Sequence, residues 1–370
     1  LNDHQNDSRP VLGPFRAERM TGSSVPPPGP VNRLARGSRS GQTAPLARPR
    51  PGEVLDPAAE LPGAHPDERP MGGTLAPMLT TEQRSQIASA LRDALANNQV
   101  RVVYQPIVDA ADNRVVALEA LARWAHPELG EIAPDVFIPI AEEAGLIGQI
   151  GGRILKQACS DAAAWPDAVR VSVNVSAAQF GNLGFLSVVA QALSHAGLAP
   201  GRLELELTES VFLGDKQAVE DMFAALKVLG VRLALDDFGT GYSSLSYLQR
   251  VPFDTIKIDK SFLAEIAQPD SRSAVIIAAI VGLAKALNMD TTAEGIEAHD
   301  ELEATRQLGV NQIQGFIYAA ALDGDQVNDH LQRGDWVIEP DACTALPSDP
   351  AELLVQFHDA PSPHDALKVA

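Results

Sequence analysis

Cysteine is nearly absent from this chain: Cys159 and Cys343 are the two in 370 residues. Two such thiols make no disulfide framework, so the fold must rest on its own core, and a reducing compartment, the cytoplasm, is the expected location. Long apolar runs are missing as well. The longest, Ala274 to Ala284, stops at Lys285 and falls short of the ~20 residues that cross a bilayer, so no membrane span is expected. The N-terminus is polar where a secretory leader would carry its apolar core. No initiating methionine is present, which reads as a fragment and leaves room for a regulatory domain upstream. Positive charge is also scarce: 29 Lys and Arg stand against 48 Asp and Glu, a net charge of −19. Residues 1–80 hold nine Arg and eight acidic residues, a balance of +1, which leaves −20 for the remainder. A domain that acidic repels nucleic-acid polymers. Any phosphate it handles must be small or assisted by a metal.

Apolar periodicity is absent from residues 1–78, which hold 14 of the 27 prolines, including the run Pro26-Pro27-Pro28-Gly29-Pro30. This stretch reads as a disordered tail or linker. From Thr81 the texture changes to a helix opened by Thr80 or Thr81. Strands are expected at Val100–Val108, Val115–Ala122, Val169–Val175, Arg202–Leu207, Val231–Leu235, Thr255–Ile258, Asp290–Ala293 and Val310–Ile313. Helices fall between them, with Phe137–Trp165 expected to break near Gly151-Gly152. Others are expected at Phe185–Ala196, Lys216–Leu229, Ser243–Arg250, Ser273–Asn288 and Asp300–Leu308. Eight strands alternating with helices over about 250 residues are the size and rhythm of an α/β fold of the (β/α)8 TIM-like barrel type. A doubly wound sheet is the alternative, but the glycine-rich phosphate loop after its first strand is missing. The barrel is assigned to residues 79–331, and residues 332–370 to a C-terminal tail with one short helix over Ala351–Phe357.

A barrel keeps its chemistry at the carboxyl ends of its strands, and polar residues gather there: Glu119, Asn174, Glu206, Asp236 with Asp237, Lys257 with Asp259, Glu294 with Glu297, and Gln314. Each has a bland reading taken singly. Glu119 could sit at a rim, Asn174 or Asp237 could cap a helix, Lys257 could simply pair with Asp259, and the Glu294 to Glu297 spacing suits a helix start. All of them being bland together is a poor account of the pattern. Period-two alternation puts Glu204, Glu206 and Thr208 on one face and Lys257 with Asp259 on another. The set is rich in oxygen and contains neither Cys nor His, which favours Mg²⁺ or Mn²⁺ over Zn²⁺. Several carboxylates around one cup could hold two ions, with Lys257 beside an attacking water, an arrangement suited to phosphodiester hydrolysis. Ca²⁺, with longer bonds and looser coordination, is expected to inhibit.

An ordered set of motifs carries a family likeness from about Leu91 to Leu322. It runs YQPIVD from Tyr104, EALARWAHP from Glu119, FIPIAEEAGLI from Phe137, NVSAAQF from Asn174 and ELTES from Glu206. It continues with DDFGTGYSSLSYL from Asp236, KIDKSF from Lys257, AEGIE from Ala293 and QGF from Gln314. In this set the chain resembles the EAL-domain cyclic-di-GMP phosphodiesterases. The resemblance implies that Glu119, Asn174, Glu206, Asp236 and Asp237 are metal ligands and that Lys257 positions or activates the attacking water. It implies a metal-site or base role for Glu294, with Asp259 and Glu297 completing the network. Gln105, Leu121, Arg123 and Gln314 would meet the dinucleotide. Glu209 would brace the Phe238 to Ser244 loop, which in this family joins the site to a homodimer contact, and the first barrel strand would run antiparallel to the rest. The activity implied is opening of cyclic di-GMP to linear pGpG, and the alternative is a non-catalytic receptor that binds the dinucleotide and acts through a partner. A receptor would be marked by loss of a ligand or of Lys257, and none is lost. One departure is visible: Ala321 stands where the family usually has proline, at the rim of the QG loop.

Overall fold

The computed structural model describes residues 79–239, 245–334 and 337–340. Helix α1 (Thr81–Ala96) begins at a capping box, with Thr80 accepting from the Gln83 backbone N–H and the Gln83 side chain returning to Thr80. Strands β1 (Val100–Asp109) and β2 (Val115–His126) form an antiparallel hairpin in which Gln105 lies opposite Glu119. The short β3 (Gly130–Ile132) pairs with the end of β2 as a flap outside the barrel. Helix α2 (Pro134–Glu143) and α3 (Ile147–Ala162) follow.

The expected break near Gly151-Gly152 is not there: α3 runs through both glycines, and the chain breaks earlier, where Gly145 takes φ +67°. Gly151 is small for packing and not for bending. A Cβ there would fall 1.8 Å from the Gln179 amide nitrogen, whose side chain is buried against this turn of α3.

Thereafter strand and helix alternate as β4 (Arg170–Asn174), α4 (Ala177–Phe180), α5 (Phe185–Ala196), β5 (Leu203–Thr208), α6 (Lys216–Leu229), β6 (Arg232–Asp236), α7 (Leu245–Leu248) and β7 (Thr255–Ile258). The series ends with α8 (Arg272–Ala286), β8 (Asp290–Ala293), α9 (His299–Gln307), β9 (Gln312–Gln314) and α10 (Gly324–Arg333). The sheet order is β1-β9-β8-β7-β6-β5-β4-β2, closed by the β1–β2 pairing into an eight-stranded barrel. From β2 round to β9 the pairings are parallel, and β1 is antiparallel to both neighbours, as the family likeness implies.

Two zones fill the fold. Outward-facing strand residues such as Val171, Leu205, Leu207, Leu233 and Ile256 are buried beneath the helices. Inside the barrel the amino-terminal layer is polar, with Glu204 accepting from Arg232 at 2.8 Å and from Thr255 at 3.1 Å. Helix α10 was not legible in the apolar pattern because its face toward the barrel rests on few apolar residues, Val327 among them. Beyond it, Val337 bridges Arg114 and the Ile338 N–H donates to the Asn113 carbonyl at 3.1 Å, so described structure continues past Leu331. Residues 1–78 and the short helix expected at 351–357 lie outside the described residues.

Candidate active site

Five strands and a connecting loop deliver one polar cup. Strand β2 brings Glu119, β4 brings Asn174, β5 brings Glu206, β6 ends in Asp236, and β7 brings Lys257, with Glu294 one residue past β8. The Lys257 ammonium is the centre of the group. Its Nζ lies 2.5 Å from Glu294, 2.6 Å from Glu206, 3.5 Å from Asp236 and 3.9 Å from Glu119, and its side chain is 3% exposed. Buried charges are costly unless paired and hydrogen-bonded. Here one cation faces four acids, so with all of them ionised the group would carry a surplus of three negative charges.

The acids divide in response to that surplus. Burial works to raise the Glu119 carboxyl, but the Lys257 charge and hydrogen bonds from Gln314 and Asn174 outweigh it and hold it below the ordinary carboxylate range. The contacts are short, at 2.5 Å from Gln314 Nε2 and 2.6 Å from Asn174 Nδ2. Glu206 goes the other way, pushed well up by burial and by the Glu119 charge despite its contact with Lys257. Burial also lifts Glu294, to about 8, with Asp236 and Glu119 adding to the effect and Lys257 opposing it. Asp237 is raised to about 6, first by burial and then by its neighbours Asp236 and Asp259. Burial alone would lower the Lys257 ammonium, but Asp236, Glu119, Glu206 and Glu294 together raise it well above its usual range.

This donor set fits a hard divalent cation by its chemistry: every donor is an oxygen or an amide, and the acids crowd one another for want of positive charge. A buried amide oxygen, Gln314 Oε1, has no hydrogen-bond partner among the described residues. The geometry is not that of a closed cage. Among the described residues no three of His, Cys, Asp and Glu stand in a metal-holding arrangement, because the ammonium takes the middle of the cup.

Most of the residues expected from sequence meet here. Gln314 Nε2 also donates to Gln105 Oε1 at 3.1 Å, and Gln105 Nε2 reaches the Ala319 carbonyl at 3.2 Å. A cavity of about 450 Å³ opens beside the cup, where Leu121, Asn174, Glu206, Asp236 and Asp237 face an apolar wall of Ile138, Pro139, Ile150 and Ile154. Asp237 takes φ +53°, a left-handed conformation unusual for a residue with a side chain, as the chain turns out of β6. Glu209 Oε1 accepts the Gly239 N–H at 3.2 Å, where the Phe238 to Ser244 loop begins; residues 240–244 of that loop lie outside the described residues.

Three residues make their hydrogen bonds outside the cup. Arg123, half-buried on β2, donates to its neighbour's carbonyl at Ala122. Asp259 caps the turn after β7 by accepting the Ser261 N–H at 2.9 Å. Glu297 is exposed, and its backbone N–H donates to Glu301. A residue not singled out from sequence belongs to the cup as well: Ser172 donates to Glu206 Oε1 at 2.5 Å. Its place two residues before Asn174 on the same strand face was the available signal.

The profile of the EAL domain family matches residues 88–321. Among curated proteins, the bifunctional diguanylate cyclase/cyclic di-GMP phosphodiesterase MucR of Pseudomonas aeruginosa is 40% identical over 250 residues, 66% of this chain and 36% of that protein. The cyclic di-GMP phosphodiesterase NbdA of the same organism is 39% identical over 249 residues, 66% of this chain and 32% of that one. Among solved structures, a PaMucR phosphodiesterase in complex with c-di-GMP is similar at a TM-score of 0.62 and 41% identity, over 65% of this chain and 99% of that one. The chain spans about a third of the length of the curated relatives it matches.

Proposed function

The chain belongs to the EAL domain family, and from that premise we propose that it is a metal-dependent phosphodiesterase that hydrolyses cyclic di-GMP to linear pGpG. The observation that carries this reading is the cup itself, in which four carboxylates lie within 4 Å of one buried ammonium at the mouth of the barrel. Glu119, Asn174, Glu206, Asp236 and Asp237 would hold the Mg²⁺ or Mn²⁺, with two ions expected. When bound, the ions would polarise a phosphoryl oxygen and make a water more acidic.

The chain's own groups account for the rest. Lys257, kept charged by its four acids, orients the attacking water by donating to it. Glu294, 2.5 Å from Lys257, is the candidate to accept the proton in its ionised form, which the bound ions would favour over the protonated one. Gln105, Gln314, Leu121 and Arg123 border the dinucleotide, and a guanidinium suits a phosphate. As the water adds to one phosphorus, the bond to the 3′ ribose oxygen breaks, and that oxygen leaves as a hydroxyl by taking up a proton equivalent to the one the water gave to Glu294. One ester is opened and the other stays intact.

No described helix is long and apolar enough to cross a membrane, and we place the activity in the cytoplasm. We also infer a homodimer. Helix α8 presents Val275, 70% exposed, and Ile276, 43% exposed, beside exposed Ala278, Ala279 and Gly282, an apolar face that a second copy would cover.

The test is purified protein with cyclic di-GMP and Mg²⁺ or Mn²⁺, products being separated by chromatography. Stoichiometric pGpG is expected, and Ca²⁺ titrated to the level of Mg²⁺ should cut the rate. Binding of the dinucleotide without product would replace this reading with that of a receptor.

A further inference from the structure

Strand β4 turns two side chains into the barrel, Ser172 and Asn174, at the period-two spacing of a strand. In the ladder Ser172 lies opposite Glu119 on one side, and Asn174 lies opposite Glu206 on the other. Each reaches for the acid that is not opposite it. Asn174 donates to Glu119 at 2.6 Å, and Ser172, fully buried, donates to Glu206 Oε1 at 2.5 Å. The other oxygen of Glu206 is taken by Lys257 at 2.6 Å.

A carboxylate at the end of a glutamate turns easily about its last torsion, which has broad preferences. Its plane must therefore be set by contacts, and Glu206 has Ser172 on the neighbouring strand, Lys257 two strands away and the Glu119 carboxyl beside it. Without the serine hydroxyl, nothing in the Ser172 and Lys257 contacts would oppose rotation of both oxygens toward the ammonium. A carboxylate spent on Lys257 is a poorer ligand for a second cation.

We propose that Ser172 is the positioning residue for Glu206, holding one of its oxygens away from Lys257 so that the carboxylate remains available to a divalent cation. The proposal rests on the reading of the cup as a metal site. It concerns a side chain whose contact is with the acid itself.

The test is calorimetric binding of Mn²⁺ to the full chain, without substrate, for wild type, Ser172→Ala and Ser172→Thr, with circular dichroism and a metal-free melt of each. Loss of a hydrogen bond to a charged group should weaken Mn²⁺ binding about ten-fold in Ser172→Ala, and the threonine hydroxyl should restore most of it. In turnover, the Mn²⁺ activation constant should rise in Ser172→Ala, with the KM for the dinucleotide moving less. If Ser172→Ala does not fold, Ser172→Cys, similar in volume and a weak donor, takes its place in the same comparison. Wild-type Mn²⁺ affinity in a folded variant lacking the hydroxyl would overturn the proposal, and so would equal weakening in the alanine and threonine variants alongside lowered metal-free melting temperatures. If wild type takes up no Mn²⁺, the metal reading falls and this proposal with it.

Discussion

Glu119 is held below the ordinary carboxylate range through Lys257, Gln314 and Asn174. Glu119→Ala removes a charge from a crowded group and leaves the helix-covered core untouched, so hydrolysis should fall at least a hundredfold while the far-ultraviolet dichroism stays at that of wild type. Retention of more than a tenth of the wild-type rate at saturating Mg²⁺ would sink its assignment as a ligand. Glu119, Glu206, Asp236, Lys257 and Glu294 were legible in the sequence because strand ends and period-two alternation converge on one mouth. Asp259 and Glu297 carried the same signal, yet the structure gives Asp259 a capping contact and leaves Glu297 exposed. Sequence spacing fixes the strand end a residue occupies, but the rotamer and the local turn decide where its carboxylate goes. Ser172 was missed for the opposite reason: a small hydroxyl in an apolar strand carries little pattern of its own.

At the scale of the element, glycine proved ambiguous. A Gly-Gly pair in a helical pattern signals a break from sequence alone, but in α3 its first member makes room for a side chain from α4. Gly151→Ala should therefore destabilise the fold by overpacking, by roughly 1–3 kcal/mol, although alanine is the better helix former. Chemical denaturation would measure it, and an increase in stability would mean that Gln179 moves aside freely. The loop after β6 supports a second expectation. Glu209 holds the Gly239 N–H three residues beyond Asp236, so Glu209→Ala should raise the Mg²⁺ concentration needed for half-maximal rate and lower the maximal rate, without removing a ligand. Activity measured against Mg²⁺, with the sedimentation profile of each protein, would reveal an ordinary connection if the two sets of curves coincide. Six of the strand reads agree within one residue at each end, because apolar runs bounded by turns are strong signals, whereas β2 runs four residues past Ala122, β9 begins two residues after Val310, and the short β3 was not read. Helix α10 and the segment at 337–340 were not, since they are held by caps and backbone bonds more than by an apolar stripe.

For the whole molecule, the surplus of acid sets how stability responds to pH. Asp237 and Glu294 are raised, to about 6 and about 8, with burial the leading cause in each, so the folded chain binds more protons than the unfolded one above the ordinary carboxylate range near pH 4. Their contribution is complete below that range and is lost as pH rises, through 6 for Asp237 and through 8 for Glu294. The metal-free melting temperature should accordingly fall from pH 5.5 to pH 8.5. Mn²⁺ favours the deprotonated acids, so its stabilising shift should be larger at pH 8.5. Thermal melts at both pH values, with and without Mn²⁺, test this, and a metal-free melting temperature that climbs with pH would contradict it.

The reversed direction of β1 also matters for how the chain reaches this shape. Because β1 forms a hairpin with β2, the barrel's seam falls between β1 and β9, where Ile107 meets Gln314. The bond from Gln314 to Glu119 crosses that seam and joins positions 195 apart in sequence. Contacts so distant along the chain are entropically slow to form, and β9 is the last barrel strand to leave the ribosome. A nascent or truncated chain could carry the strands that bear Glu119, Asn174, Glu206, Asp236 and Lys257 and still lack the contact that holds the second oxygen of Glu119. The final joint of assembly is thus part of the cup, and a chain caught before closure would hold most of its acids without the arrangement that gives them use.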